Sequence, residues 1–494
     1  MLLGLTAVVL LDAAPGGPVA SSDACVGTLA VLTAARQEAM GERMTESIGG
    51  VPKHPDFVVI TGARAVDPSV GLDAVVDVVI EKGRITRIGP NAASPEQLRS
   101  ERGHVIDGTD RWLLPAFVDL HAHFREPGHE YKEDIASGLR AAAAGGFAHV
   151  CCMANTRPIN DTRAVTEMMV ARSREHGGAQ LHPIGAITKG QRGEELTEMA
   201  DLRDAGAVGV SDDGVCVMSS VVMRRALEYA RTFDMPVIQH CEDHGLTAGA
   251  QMHEGAVATK LGLRGWPRVA EDIIVARDLL LAEATGARYH IAHVSTEGAV
   301  RLIREAKSRG IRVTAEVTPH HLMLTDESVI GYRTYCKVNP PLREARDIEA
   351  LRAALADGTI DAIATDHAPH SPLEKDCEME SASPGMIGLE LVVPVLLELV
   401  TNGTLSLARF VDALTRSPAS IVSLEPPRLV EGARAELTLI DPNVEHVVTA
   451  ASLRSKSKNT PFADHSYRGR VELTLLGDVF AFASATAFTK RGTR

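Results

Sequence analysis

Between residues 113 and 364 the chain alternates short apolar runs with longer amphipathic segments. Eight apolar runs can be counted, and they end near Leu120, Met153, Ile187, Val210, Ile238, Ala292, Val317 and Ala364. Helical spacing of apolar residues separates them, for example over 164–175, 223–233, 273–284 and 298–307. Strands that alternate with helices predict parallel β/α units. Eight such units predict a closed (β/α)8 barrel of the TIM type, with its active site at the C-terminal ends of the strands.

The segments on either side of this region have a β pattern. A short strand is predicted at 57–60, and a hairpin is predicted at 76–81 and 84–89, with its turn at Lys82–Gly83. Similar runs occur near the other end of the chain, at 435–440 and 471–480. We therefore predict a small β domain formed from both chain ends, 53–112 and 426–494, around a barrel at 113–425.

Residues 1–52 fit neither pattern. Residues 1–11 are apolar, but no Lys or Arg precedes Arg36, whereas a secretory signal needs a positively charged start. We expect this segment to be a disordered extension, or Met44 to be the true start.

Composition excludes several functional classes. The net charge of −13 argues against a nucleic-acid partner, which would require clustered Lys and Arg. No apolar stretch reaches the roughly 18–20 residues that span a bilayer. Seven cysteines without a C-x-x-C pair do not indicate a disulfide framework. A reducing, cytoplasmic environment fits best.

Candidate chemistry begins directly after the first apolar run. Residues two apart on a strand share a face, so His121 and His123 would project together, as ligands of one metal ion must. Arg125 lies two residues further and could hold an anion beside that metal. Two histidines alone do not establish a site, because they could equally be unrelated residues at a strand end.

Further polar residues follow the other predicted strands. They are Asn155, Asp212, Asp213, His240, His293, Asn339, Asp366 and His370. Each has a structural alternative; Asp212 and Asp213, for instance, could form a turn and a helix cap. Several histidines and carboxylates at one end of one barrel nevertheless favour a metal site, since imidazole and carboxylate are the ligands of Zn²⁺ and similar metals. One carboxylate would have to remain available for proton transfer.

The chain resembles the amidohydrolase superfamily and, within it, the bacterial dihydroorotases of class I. The resemblance runs from about residue 56 to 480. The motifs that carry it are HAHFREPG at 121–128, NTRP at 155–158, SDDG at 211–214, HCED at 240–243, HVST at 293–296, VNPPLR at 338–343, TDHAPH at 365–370 and SKSKNTPF at 455–462. Each motif alone is weak, but all of them in this order are specific.

The resemblance implies roles for these residues. One metal would be bound by His121, His123 and Asp366, and a second by His240 and His293. Either Asp212 or Asp213 would bridge them, with the spacing in relatives favouring Asp213. The substrate carboxylate would be held by Arg125, Asn155 and His370, and the substrate would also meet His123, Asn339 and the backbone around Pro384–Gly385. Asp366 would be the catalytic acid–base. Beside these roles, the stretch 371–386 is polar and punctuated by Gly and Pro, and this composition predicts a mobile active-site loop.

The resemblance also implies a reaction. It is the reversible, zinc-dependent cyclisation of N-carbamoyl-L-aspartate to (S)-dihydroorotate with loss of water, in the synthesis of UMP. One or two zinc ions per subunit and a homo-oligomer are expected, whereas the sequence leaves open an association with aspartate transcarbamoylase.

Two other readings stay open. Hydantoinases, dihydropyrimidinases and allantoinases share the superfamily, but they usually bridge their metals with a carboxylated lysine at the fourth strand, and 208–213 contain no Lys. Their neutral substrates also lack the carboxylate that Arg125 would hold. A non-catalytic dihydroorotase-like subunit would be expected to have lost ligands, whereas every expected ligand is present here.

Overall fold

The structure is a computed structural model and describes residues 55–488. The extension predicted at 1–52 lies outside the described residues. All described residues fall within one compact unit, so the predicted domain boundaries stay predictions.

The strands are short in the barrel and longer in the second sheet. In chain order they are β1 (Phe57–Asp67), β2 (Leu72–Glu81), β3 (Arg84–Gly89), β4 (His104–Asp107), β5 (Trp112–Pro115), β6 (Phe117–Ala122), β7 (Phe147–Cys152), β8 (Gln180–Gly185), β9 (Gly209–Ser211), β10 (Val237–Gln239), β11 (Met252–His253), β12 (Gly265–Trp266), β13 (Tyr289–Ile291), β14 (Val313–Val317), β15 (Ala362–Ile363), β16 (Glu436–Val447), β17 (Ser466–Leu476) and β18 (Val479–Ala483).

The α-helices lie mainly between the barrel strands. In chain order they are α1 (Ile135–Ala144), α2 (Arg163–His176), α3 (Met199–Asp204), α4 (Ser220–Arg231), α5 (His244–Thr247), α6 (Ala256–Leu261), α7 (Val269–Thr285), α8 (Glu297–Ser308), α9 (Pro319–Met323), α10 (Ala345–Asp357), α11 (Pro372–Lys375), α12 (Val392–Thr401), α13 (Leu407–Leu414) and α14 (Arg416–Ile421). Among the described residues, no helix combines the length and apolar character needed to cross a membrane.

The barrel is a parallel sheet of eight strands in the described residues, in the order β15-β14-β13-β10-β9-β8-β7-β6. It closes through a bridge between Ala122 and His367, next to a hydrogen bond of 2.8 Å that the His123 amide donates to the His367 carbonyl. Apolar side chains from its strands, including Leu120, Ile184 and Ile238, fill the interior. The predicted TIM-type barrel is therefore confirmed.

The second sheet combines strands from both ends of the described residues. Its order is β18-β17-β16-β5-β1-β2-β3, with β4 paired to β1. The late strand β16 pairs antiparallel with the early strand β5, which confirms the small β sheet built from both chain ends. The β2–β3 hairpin turns at Lys82 and Gly83, whose φ angles of 50° and 70° are those of a type I′ turn.

The first apolar run of the barrel region, which begins at residue 113, is divided between the two sheets. Residues 113–115 belong to β5 and residues 117–118 to β6, with Ala116 between them. The Ala116 amide bonds to the Glu436 carbonyl at 3.0 Å, and the next amide, of Phe117, bonds to the Gly146 carbonyl at 2.8 Å. The hydrophobic pattern could not reveal this division, because the residues before Ala116 and those after it are equally buried.

Candidate metal centre

The six side chains predicted as metal ligands converge at the C-terminal end of the barrel, and all are buried. Two sets of three ligand atoms lie within 4.8 Å of one another: His121, His123 and Asp366, and His121, Asp213 and His293. The first set comes from the barrel seam, which is the junction of β6 and β15 where the sheet closes. His121 lies in β6, and Asp366 follows β15. The Nε2 atom of His123 lies 3.1 Å from Oδ1 of Asp366.

Asp213 lies at the centre of the histidines. Its Oδ1 is 3.3 Å from Nε2 of His121 and 3.5 Å from Nε2 of His293. Its Oδ2 is 3.6 Å from Nε2 of His123. Burial opposes ionisation of this carboxyl, but the closeness of the imidazoles, above all the charge of His121, outweighs it and holds the pKa of Asp213 well below its usual value. Asp213 thus faces His121 and His123, the candidate ligands of one metal, as well as His293, a candidate ligand of the other.

The neighbouring Asp212 points elsewhere. Its Oδ1 accepts hydrogen bonds from the amides of Ile187 and Thr188 at 2.8 and 3.0 Å, and its Oδ2 accepts one from the Thr188 hydroxyl. Burial raises the pKa of Asp212 to about 6. Of the two aspartates left open by the sequence, only Asp213 therefore contacts the histidines.

His240 lies at the edge of the cluster and outside both sets of three. Its Nδ1 is 3.0 Å from Nε2 of His293 and 3.9 Å from Oδ1 of Asp213. Its Nε2 lies 2.9 Å from Oε2 of Glu242. The structure thus brings His240 beside His293, as the proposed second metal requires, and adds a carboxylate that orients its ring.

The unsatisfied atoms of the cluster fit a cation. Nε2 of His121 and Oδ1 of Asp213 are buried, yet within the described residues neither makes a hydrogen bond of acceptable geometry. Buried polar atoms normally have partners. A divalent metal that accepts both nitrogen and carboxylate oxygen would satisfy both atoms, and Zn²⁺ is such a metal.

Glu316 orients the first histidine, although it is not among the residues predicted from the sequence. Its Oε1 lies 2.9 Å from Nδ1 of His121, and its Oε2 lies 3.1 Å from Nε2 of His290. With Nδ1 bonded to a carboxylate, Nε2 of His121 faces the cluster. The sequence carried one signal of this role, namely a carboxylate inside the apolar run 313–317.

Replacing Glu316 with glutamine should lower metal affinity about 10- to 100-fold, because such orienting partners typically contribute this much. Competition with a chromogenic chelator measures the affinity directly. Glu305→Gln, on the exposed surface of α8, is a matched control that should leave affinity unchanged. Equal affinity in Glu316→Gln and the wild type would show that Glu316 does not support the metal.

Arg125 and His370 form a polar corner beside the cluster. Nε of Arg125 donates to the Pro369 carbonyl at 3.2 Å, and its Nη2 lies 3.4 Å from Nε2 of His370. Nε2 of His370 is also 2.9 Å from the Pro384 carbonyl. Burial, and then the charge of Arg125, lower the pKa of His370 to about 2, so its ring is neutral. The guanidinium is thus the positive charge of this corner.

The two predicted amide side chains lie on different sides of the cluster. Oδ1 of Asn155 is 2.9 Å from Nδ1 of His123, and its Nδ2 is 3.5 Å from Oδ2 of Asp213. Nδ2 of Asn339 is 3.4 Å from Oε2 of Glu242, while its Oδ1 is buried and has no partner among the described residues. Asn339 therefore offers a free acceptor.

Both backbone polar groups of Gly385 already make hydrogen bonds within the protein. Its amide donates to the Lys337 carbonyl at 2.9 Å, and its carbonyl accepts hydrogen bonds from Lys375 and Asn459. A Cβ at Gly385 would lie 2.7 Å from the Ala368 side chain and 3.2 Å from Nε2 of His370. The absence of a side chain at Gly385 therefore leaves space beside His370. Because the amide and carbonyl of Gly385 are already bonded, a substrate ring would meet this residue through van der Waals contact.

Three residues of the site have a backbone conformation that is rare outside glycine. The φ angles are 63° at Arg125, 32° at His293 and 45° at Asp366. Each costs roughly 1–3 kcal/mol and persists only where the surroundings impose it. Next to His293, the Ser295 amide is held by Glu271 at 2.9 Å, which is one such constraint.

A dihydro-orotase-like family profile matches residues 110–299. A dihydroorotase of Anaeromyxobacter dehalogenans is 51% identical over 424 residues, which are 85% of this chain and 97% of the relative. A dihydroorotase of Syntrophobacter fumaroxidans is 50% identical over 421 residues, 85% of this chain and 96% of the relative.

Solved structures of hydantoinases share the fold. The L-hydantoinase of Arthrobacter aurescens aligns with a TM-score of 0.75 at 24% identity, over 86% of this chain and 95% of that one. A dihydropyrimidinase of Brevibacillus agri aligns with a TM-score of 0.74 at 21% identity, over 86% of this chain and 94% of that one. At these identities the structures establish the barrel fold alone, whereas the sequence relatives are half identical over nearly their whole length. The chain belongs to the dihydroorotase family.

Proposed function

We propose that this protein is a zinc-dependent dihydroorotase, which interconverts N-carbamoyl-L-aspartate and (S)-dihydroorotate in pyrimidine synthesis. The observation that carries the proposal is the position of Arg125. Its guanidinium lies in the polar corner next to a cluster of four histidines and two aspartates. Dihydroorotate has a ring amide for the cluster and a free carboxylate for the guanidinium.

The cluster would hold one or two zinc ions. His121, His123 and Asp366 would bind one, His240 and His293 the other, and Asp213 would lie between them. Bound zinc would polarise the amide carbonyl and lower the pKa of a nucleophilic water.

Asp366 is the proposed proton carrier. Burial raises the pKa of a carboxyl, but here the charges of His121 and His123 outweigh burial and keep the pKa of Asp366 low. As a metal ligand, Asp366 would likewise be ionised, and it could then accept the proton of the attacking water. During hydrolysis the same carboxyl then delivers that proton to the leaving ring nitrogen. Ring closure is the reverse.

The polar corner would recognise the substrate carboxylate. A guanidinium can donate two parallel hydrogen bonds to a carboxylate, which fixes orientation as well as affinity. Asn155 and His370 would complete this contact, while His123 would also touch the substrate. The unpartnered Oδ1 of Asn339 could accept a ring N–H, and Pro384–Gly385 would pack on the ring.

Purified enzyme tests the proposal when it is assayed on dihydroorotate, hydantoin and allantoin together with its metal content. We expect zinc in the protein and turnover of dihydroorotate only. Protein with bound zinc but no dihydroorotate turnover would refute the proposal. Preference for hydantoin or allantoin would favour the superfamily's neutral-ring hydrolases instead.

Arg125→Met provides the matched test of substrate class. A charge-assisted hydrogen bond contributes about 1.5–3 kcal/mol, so we expect KM for dihydroorotate to rise roughly 10- to 150-fold. Metal content should not change, because Arg125 is not a ligand. An unchanged KM would show that the carboxylate binds elsewhere.

Two predictions from the sequence are retained as part of this proposal, namely a cytoplasmic location and a homo-oligomeric assembly. An association with an aspartate transcarbamoylase is left open by the sequence. Light scattering of the purified protein, alone and mixed with that partner, measures the assembly and the association.

A further inference from the structure

Lys375 is a buried lysine close to the polar corner formed by Arg125 and His370. It ends α11, and its side chain has no exposure to solvent. Its ammonium donates to the carbonyls of Ser383 at 2.8 Å, Gly385 at 3.0 Å and Lys337 at 3.4 Å. A lysine is rarely buried completely unless its charge is satisfied. Three backbone carbonyls satisfy this one.

The three carbonyls belong to two segments that both reach the substrate site. Lys337 lies two residues before Asn339, whereas Ser383 and Gly385 enclose Pro384, whose carbonyl meets His370. The Lys337 carbonyl also accepts the Gly385 amide at 2.9 Å. The ammonium of Lys375 therefore ties the segment carrying Asn339 to the segment beside His370.

Asn459 supports the same segment from the opposite end of the chain. Its Nδ2 donates to the carbonyls of Ala368 at 3.0 Å and Gly385 at 3.1 Å, and its Oδ1 accepts the His370 amide at 3.0 Å. The stretch 371–386, expected from its composition to be mobile, is thus fixed at Gly385 by two buried side chains.

We infer that Lys375 is a positioning residue for substrate binding, which holds Asn339 and Pro384–Gly385 at the distance that the substrate ring requires. The inference rests on the proposed function, since it concerns the pocket for that ring. Lys375 does not touch the substrate and is not a metal ligand, so its loss should affect binding more than chemistry.

The charge of Lys375 adds a second readout. Burial, and then the nearby charge of Lys337, lower the pKa of the Lys375 ammonium to about 7, against smaller opposing effects of Cys336, Cys377 and Glu374. Below this pH the ammonium offers three donors. Above it, one donor is lost and a lone pair faces a carbonyl, so the tie between the segments should weaken as pH rises.

Lys375→Met removes the donors and leaves an unbranched side chain that is one atom shorter. At about pH 6 we expect KM for dihydroorotate to rise about tenfold or more, with kcat changed less than about threefold. Zinc content should equal that of the wild type. Lys375→Gln retains two donors without a charge and should give an intermediate KM. Steady-state kinetics and metal analysis on the zinc-loaded full chain provide these values.

The pH profile separates positioning from a purely structural role. Wild-type KM should rise between about pH 6 and about pH 9 as the ammonium deprotonates, and this rise should be absent in both Lys375 variants. Lys307→Met is the matched control: this lysine of α8 also bonds to a backbone carbonyl, that of Gly358, but at the other end of the barrel. It should keep the wild-type profile.

An unchanged KM in Lys375→Met, a loss confined to kcat and zinc content, or a pH-dependent rise that persists in both variants would overturn the inference. If neither variant folds, the wild-type profile decides it, and a flat KM would count against it. A wild-type enzyme without dihydroorotate turnover would refute the proposed function instead.

Discussion

Asp366→Asn should lower kcat for dihydroorotate by about 10³-fold, within the range of about 10²–10⁴ that a positioned acid–base contributes. Asparagine keeps an oxygen that can face the metal but cannot accept and return a proton. Zinc content and KM should therefore change much less than kcat. Asp366→Ala, which also removes the ligand oxygen, should abolish turnover and release part of the metal. Single-turnover kinetics and metal analysis on the same preparations distinguish these losses.

Asp361→Asn is the control at the opposite end of the same strand. Asp361 precedes β15, and its Oδ2 accepts hydrogen bonds from Lys307 at 2.6 Å and from the Ala315 amide at 2.8 Å. Its substitution should lower stability slightly and leave kcat near the wild-type value. An Asp366→Asn enzyme with near-normal turnover would remove Asp366 from the chemistry.

Asp213→Asn should weaken metal binding, whereas Asp212→Asn should lower only the stability of the fold, although the two residues are adjacent. Asp213 faces three histidines with its two oxygens, so losing its charge should cost several kcal/mol of metal binding, or about 10³-fold in kcat/KM at limiting zinc. Asp212 caps backbone amides instead. Its substitution should cost about 1–3 kcal/mol of unfolding free energy with activity retained.

Metal titration and thermal unfolding of both variants make this comparison. If Asp212→Asn loses metal and Asp213→Asn does not, the bridging position belongs to Asp212. Equal loss in both would mean that the segment, rather than one carboxylate, holds the metals.

The barrel was predictable because its signal repeats. Each apolar run is followed by a helical pattern, and a parallel sheet puts the ends of those runs at one edge. Eight repeats predict a closed barrel, and closure brings His121 near Asp366. The division at Ala116 was not predictable, since burial in either sheet produces the same apolar pattern. Hydrophobicity reports that a residue is inside, but not which partner its amide meets.

The supporting residues of the site were harder to predict than its candidate ligands. Glu316 and Asn459 meet imidazoles and carbonyls that are distant in sequence. Two of the carbonyls that Lys375 meets lie only 8 and 10 residues away, but a backbone carbonyl is common to every residue and gives no signal in the sequence. Lys375 even lies in a polar stretch that composition alone assigns to a mobile loop. Sequence could not choose between Asp212 and Asp213 from their own spacing either, because the choice depends on which way each side chain leaves the strand end.

The barrel seam has a thermodynamic consequence. The strands β6 and β15 meet through the Ala122–His367 bridge, and His123 and Asp366 lie on either side of it. An ion held by both side chains would cross-link the first and last strands of the barrel. Metal binding and closure of the cylinder would then be linked equilibria, so the free zinc concentration would set the apparent stability of the fold, by RT ln(1 + [Zn]/Kd). The junction of β6 and β15 would thus be more stable in the zinc-bound enzyme than in the metal-free protein.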